Sequence, residues 1–467
     1  MSRFSRICVA ILVTTAVIRL ATLGAYPLAD TTEARYGEIA RLMLVTGDWI
    51  TPQIEVDVPF WGKPPLSIWL TAVSFKTFGV SEFSARLPAF LLLIGTAWLV
   101  ASFGKIALNP KAGLVAAVIL LSSGLGFVSS GAVMTDPALL MSTTLAMMAF
   151  WRANVRRQFR WGYVFFAALG FGLLAKGPIA AILILTPIGT WVIWRQQWIG
   201  LAERLPWKMG TLLTLVIALP WYLFAEQKTP GFLNYFIIGE HWSRFVTSGW
   251  DGDLYGSAHA QPRGMIWLFW VGSVLPWSVI AIKYFVDRQR GQSKALITDW
   301  HRYLILWFLT PMAFFTFAGN ILPAYVLPGL PAFALLLAQP IAARESRVVH
   351  AGWLIPIVFL MLGPYVLFDR IADRSQRDLI ELVQEIGNSN RLVYLFDRPY
   401  SASFYSNGNV TTATSPEQLK FLLDQPGRSF VVAKSGRLGG LPNSLTERLN
   451  VVQSYSRYIL MVESEPD

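Results

Sequence analysis

What this chain can fold into is limited above all by a series of apolar runs, each near the roughly 20 residues a helix needs to cross a bilayer. Eleven such runs fall at about 7–25, 88–104, 112–130, 137–151, 161–175, 178–194, 209–225, 264–283, 303–318, 322–341 and 350–368. Composition agrees with them. Of 467 residues, 54% are hydrophobic and 14% charged, against roughly 25% charged in soluble domains, which excludes both a soluble globule and a disordered chain. The first run lacks a small-residue cleavage site before Tyr26-Pro27, and the loop after it needs an anchor, so it reads as a span rather than a removed leader. Cys8 is the single cysteine, which excludes a disulfide framework and cysteine metal sites. The expected fold is mostly α: a polytopic transmembrane helical bundle of about eleven spans over residues 1–368, with long outer loops at 26–87 and 226–263. Residues 369–467 alternate helix-like and strand-like pieces and read as a small extracytoplasmic α/β domain, a lid or docking module.

The formal net charge of +11 and pI near 9.7 invite a nucleic-acid reading, but the positions of the charges argue otherwise. One alternating set of loops holds eighteen Lys or Arg against four acids, whereas the opposite set holds nine against twelve. The positive-inside rule makes the first set cytoplasmic, together with the N-terminus, and an odd number of spans leaves the tail outside. Basicity is therefore a topology signal, and no nucleic-acid partner is expected. The cations that lie against this rule, on the acidic side, become the informative ones.

Ionisable groups at membrane depth are costly and mark sites. Asp30, Glu33, Arg35 and Lys63 gather in the first outer loop, where a carboxylate can accept a proton or orient a nucleophile and Lys63, between Gly62 and Pro64-Pro65, can neutralise a phosphate. Charges on the amphipathic stretch beyond them, Glu38 and Asp48 included, are expected to be solvated. The second loop carries Glu240-His241-Trp242-Ser243-Arg244-Phe245 and His259. Short outer turns add Met134-Thr135-Asp136-Pro137, where a helix N-cap is a competing role for Asp136, then Ala175-Lys176-Gly177-Pro178 and Asn320 through Tyr325. Lys63, Lys176 and Arg244 would stabilise charge as a phosphate leaves, while a carboxylate positions the acceptor. No phosphate-cradling glycine loop is present, so energy must arrive already in the substrate. A lipid phosphate with its tail in the bilayer fits these needs.

These motifs, in this order between Asp30 and about Pro331, resemble the integral-membrane glycosyltransferases of the aminoarabinose transferase and protein O-mannosyltransferase superfamily, which have the GT-C fold. The matching pieces include Thr32-Glu33-Ala34-Arg35-Tyr36-Gly37-Glu38, Phe60-Trp61-Gly62-Lys63-Pro64-Pro65, Ser84-Ala85-Arg86-Leu87-Pro88, Glu240-His241-Trp242-Ser243-Arg244 and Tyr325-Val326-Leu327-Pro328. The resemblance implies transfer of a sugar from an undecaprenyl (polyprenyl) phosphate donor to an acceptor on the periplasmic face of a bacterial inner membrane, releasing polyprenyl phosphate. It implies a first-loop acid as base, Glu33 or Asp30, supported by Asp136. It also implies donor-phosphate ligands among Lys63, Arg35, Lys176, Arg244 and Tyr325. Two departures matter. Thr32 stands where the family has Asp, which leaves the base and the acceptor open. Gly62 stands where aminoarabinose transferases have Glu, which removes a ligand for a divalent metal and leaves His241 as the remaining candidate.

The leading expectation is a glycosyltransferase acting on lipid A or another envelope glycan. Protein O-glycosylation by the same chemistry is the near alternative. A lipid-linked-sugar transporter or flippase is the alternative from another class, disfavoured because transporters place such charges near the midplane and often carry repeats.

Overall fold

The structure is a computed structural model that describes residues 1–196, 198–256, 259–290, 298–366, 371–387 and 391–464. Within the described residues, each of the eleven apolar runs falls mainly on helical backbone. α1 (Arg3–Ala21) opens on Ser2, whose side chain accepts the Ser5 N–H. α2 (Thr32–Thr46), the strands β1 (Gln53–Glu55) and β2 (Val58–Pro59), and α3 (Leu66–Phe78) build the first loop. α4 (Glu82–Ala107) starts at a Ser81 capping box and runs through Pro88. α5 (Pro110–Ser122), α6 (Gly124–Ser129), α7 (Asp136–Asn154), α8 (Arg160–Lys176) and α9 (Pro178–Arg195) follow.

Six helices among the described residues are long and apolar enough to cross a membrane, and a bent pair, Met265–Ser273 with Trp277–Asp287 at 105°, makes up to seven. The chain is an integral membrane protein. α7 falls outside that set yet is buried on nearly all its residues. A helix enclosed by other helices needs no lipid-facing surface, so it can carry Asp136, Thr143 and Thr144. The bend in the run at 264–283 follows from Pro276, which has no N–H to continue the ladder. The run at 322–341 begins as a 3-10 turn, Pro323–Gly329, before the helix Leu330–Ala343. α3, an apolar helix of 13 residues, lies inside what the sequence reads as an outer loop.

Near the C-terminus a five-stranded sheet has the spatial order β4 (Thr411–Ala413), β3 (Arg391–Leu395), β5 (Ser429–Lys434), β7 (Tyr458–Glu463) and β6 (Leu449–Ser454). β3 pairs in parallel with β4 and β5. β7 runs antiparallel between β5 and β6. The helix Arg377–Ile386, with Leu379, Ile380 and Val383 inward at helical spacing, covers one face. The expected boundary at 368/369, like the end of the run at 350–368, lies outside the described residues.

This sheet unit docks on the first loop through the short helix Tyr400–Tyr405. Tyr405 Oη accepts the Leu28 N–H at 2.7 Å, Arg398 pairs with Glu55 at 2.7 Å, and Phe404 packs over Gly37. That docking corrects the expectation of solvated charges on α2. Glu38 is 3% and Arg41 6% exposed, and they bind each other bidentately at 2.7 Å. A helix covered on both faces hides its polar stripe as well, and pairing is what makes that burial tolerable. Asp48 is not free either: it accepts the Ile50 and Thr51 N–H groups and meets Lys228 at 2.6 Å.

Candidate active site

A cavity of about 410 Å³ lies where the first loop, the α8–α9 turn, the second loop and the Pro323–Gly329 turn converge. Its walls are largely apolar, with Ile179, Ile182, Leu183, Ile237 and Phe314 among them. One end is ionic, lined by Lys63, Asp136, Lys176, His241, Arg244 and Tyr325. Six of the residues singled out from sequence, spread between positions 63 and 325, therefore share one cavity lining.

Each cation is held by a local device. Lys63 Nζ reaches the Glu240 carboxylate at 2.8 Å and its neighbour's carbonyl, Gly62 O, at 2.5 Å. Gly62 is fixed by packing, since a Cβ there would lie 2.9 Å from Phe60 Cζ. Lys176 sits at the end of α8 and binds Asp136 Oδ1 at 2.5 Å, with its ammonium 4.6 Å from the Tyr325 ring centroid. The next residue, Gly177, has φ +72, and a Cβ would meet Phe236 at 2.6 Å, so only glycine makes this turn. Arg244 lies one turn after Glu240 and donates to both its oxygens at 3.1 Å, and it also pairs with Asp253 at 3.3 Å. Its Nε is buried with no partner among the described residues. Asn320 fixes the segment behind it, donating to Arg244 O at 2.6 Å and Thr247 O at 2.7 Å.

Burial works against charge here, and pairing reverses it. Desolvation depresses the Lys63 ammonium, but the Glu240 carboxylate outweighs it and the net direction is upward. For Glu240, burial raises the carboxyl and the Lys63 and Arg244 charges bring it below its usual range. Both groups are therefore ionised at neutral pH. His241 moves down, chiefly through burial, and is neutral there.

His241 does not fit a metal. Its Nδ1 lies 2.7 Å from Phe236 O and its Nε2 3.3 Å from Lys176 O, so both ring nitrogens face carbonyls. The neighbouring carboxylate, Glu240, is held by two cations, and Gly62 offers no oxygen side chain. Among the described residues no three His, Cys, Asp or Glu converge on a metal position.

Asp30, Glu33 and Arg35 are not in the cavity wall. Asp30 accepts hydrogen bonds from Ser401 N at 3.1 Å and from Ser401 Oγ, inside the seam with the sheet unit. Burial pushes its carboxyl up to about 6, partly offset by the Ser401 hydrogen bonds. Glu33 pairs with buried Arg86 at 2.9 Å. Arg35 donates to Tyr255 O at 2.6 Å beside Phe60 and Tyr36. Glu240 and Asn320 are site residues that lie within the sequence motifs but to which sequence reasoning gave no role. A second carboxylate on the outer side, next to a histidine already singled out, was the available signal for Glu240.

Comparison with known proteins agrees with this architecture. The family model for dolichyl-phosphate-mannose-protein mannosyltransferase matches residues 4–236. An undecaprenyl phosphate-alpha-4-amino-4-deoxy-L-arabinose arabinosyl transferase of Shewanella sediminis is 31% identical over 343 residues, 71% of this chain and 59% of that protein. One from Pseudomonas fluorescens is 28% identical over 319 residues, 66% of this chain and 53% of that protein. The chain thus spans little more than half the length of the curated relatives it matches. In three dimensions it resembles ArnT from Cupriavidus metallidurans bound to undecaprenyl phosphate, with TM-score 0.76 and 18% identity over 98% of each chain. An archaeal oligosaccharyltransferase, AglB from Archaeoglobus fulgidus, follows at TM-score 0.51, 14% identity, over 93% of this chain and 70% of that one. The first half of the chain is thus similar to the mannosyltransferase family model, the chain is similar in sequence to the arabinosyl transferases, and its fold is that of ArnT.

Proposed function

We propose that this protein is a glycosyltransferase that moves a sugar from a polyprenyl-phosphate donor to lipid A or another glycan of the bacterial envelope. The observation that carries the reading is a largely apolar cavity whose lining gathers three cations, Lys63, Lys176 and Arg244, paired with Glu240 and Asp136. A polyprenyl chain suits the aliphatic wall, and its phosphate suits the ionic end. The names of the relatives, arabinosyl transferases using undecaprenyl phosphate, support the same donor.

In this reading the donor phosphate displaces or bridges the Glu240 contacts of Lys63 and Arg244, and takes the free Arg244 Nε. As the acceptor oxygen bonds to the sugar's anomeric carbon, the bond from that carbon to the phosphate oxygen breaks and its electron pair stays with the phosphate. Lys63, Arg244 and Lys176 stabilise that charge, and Tyr325 lies against Lys176. Asp136, paired with Lys176, is the base candidate that lies on the cavity wall, whereas Asp30 and Glu33 lie outside that wall. An acceptor that is already ionised needs little help from it, whereas a hydroxyl needs more. The membrane is the bacterial inner membrane, with the N-terminus cytoplasmic and the sheet unit periplasmic, as the loop charges support.

Mass spectrometry of lipid A, glycans and proteins from cells with and without the gene tests this. A missing sugar adduct on an envelope lipid is the expected result. Loss confined to a protein would replace the acceptor, and no loss from any fraction would refute the transferase.

A further inference from the structure

The contacts of Glu33 lead away from the cavity wall but back to one of its residues. Arg86 is fully buried and spends all five of its N–H groups. Nε and Nη2 bind the two Glu33 oxygens, each at 2.9 Å, and the rest go to the carbonyls of Leu23, Tyr26 and Pro27 at 2.8–2.9 Å. A carboxylate held bidentately by a buried guanidinium is poorly placed to take a proton. Its Oε1 has one further partner, the Val133 N–H at 3.1 Å. A second thread starts from Tyr26, whose ring lies 3.8 Å under the Arg86 guanidinium. Its hydroxyl donates to Gly131 O at 3.0 Å and accepts from Arg19 Nη2 at 3.0 Å. Arg19 also donates to Val128 O at 3.1 Å, and a Cβ on Gly131 would lie 2.2 Å from its guanidinium.

Both threads end on segment 131–133, three residues before Asp136 opens α7 against Lys176. We infer that Glu33 and Tyr26 are positioning residues: with Arg86 and Arg19 they bracket segment 131–133 and so set where Asp136 stands in the cavity. This deepens the proposed transferase reading by giving the first-loop acid a role other than proton transfer. It also gives Arg19, a cation inside a span, a structural task.

Hydrogen exchange and transfer kinetics on the purified full chain test it together. Glu33→Ala and Tyr26→Phe should each speed amide exchange at 131–133 about tenfold, the worth of one hydrogen bond. Glu33→Gln, which keeps an acceptor for the Val133 amide, should speed it less. Tyr26→Phe keeps the ring under Arg86, so it remains informative if Glu33→Ala does not fold. In transfer, Glu33→Ala and Tyr26→Phe should lower kcat while the acid limb of the pH–rate profile keeps its midpoint, and Glu33→Gln should recover much of the loss. Unchanged exchange in both Glu33→Ala and Tyr26→Phe would overturn the bracket. Glu33→Gln as inactive as Glu33→Ala, with the acid limb gone, would make Glu33 the base after all. Exchange is read without turnover, so a chain that transfers no sugar would sink the proposed function and leave this inference standing.

Discussion

Glu240 offers the most informative perturbation of the cavity, because one carboxylate holds two cations. Lys63 Nζ and Arg244 Nη1 lie 2.8 and 3.1 Å from the same oxygen, Oε2, which puts them within about 6 Å of each other. In Glu240→Gln the shape is kept and the charge removed. Two unit charges about 6 Å apart repel by about 3 kcal/mol at an effective dielectric near 20. A bound phosphate would recover that energy, whereas in the wild type it must compete with Glu240 for the same donors. Relaxation of two partly exposed side chains lowers the figure, so the gain in affinity for polyprenyl phosphate should fall between about tenfold and a hundredfold. The assay is titration of detergent-solubilised protein with undecaprenyl phosphate, read by thermal shift and by direct binding. Tighter product binding should also slow its release, so kcat falls while Kd falls. If Glu240→Gln binds undecaprenyl phosphate no more tightly than wild type, the phosphate does not sit between Lys63 and Arg244, and the assignment is wrong.

Lys63→Ala should abolish transfer while lowering stability by only about 1 kcal/mol, because Arg244 still partners Glu240; normal donor turnover in the purified variant would remove Lys63 from the phosphate site. Asp30 predicts a pH effect on stability. Its folded carboxyl titrates near 6 against an ordinary 3.8, so the folded state holds an extra proton between these values. The contribution is fully present below about pH 4 and is lost as pH rises through 6, up to about 3 kcal/mol in all. Asp30→Asn should flatten that slope in thermal unfolding between pH 4 and 7, and an unchanged slope would show that another group causes it. Chelation with EDTA should leave transfer within about twofold of the untreated rate, as the donor set around His241 is unsuited to a metal; loss of activity restored by added divalent ion would contradict that geometry.

Sequence alone was enough for everything that depends on local composition and pattern. Apolar length located the helical stretches, loop charge suggested sidedness, and β-rich pieces near the C-terminus announced a sheet. The cavity cations were legible too, because a Lys or Arg on the acidic side of a membrane protein breaks a statistical rule visible in one dimension. What stayed hidden was partnership. Glu33 and Asp30 look like alternative catalytic bases in sequence, yet the first carboxylate goes to Arg86 and the Val133 amide, and the second to Ser401, 371 positions away. Glu38 and Arg41 read as a solvated stripe until Tyr400–Tyr405 covers them. Glu240 gained its importance only when the fold set it between Lys63, 177 residues earlier, and Arg244. Hydrophobic pattern is set within a few residues of chain, so it survives without a structure. Which charge neutralises which is set by distances of about 3 Å between remote segments, and only the packed bundle determines those.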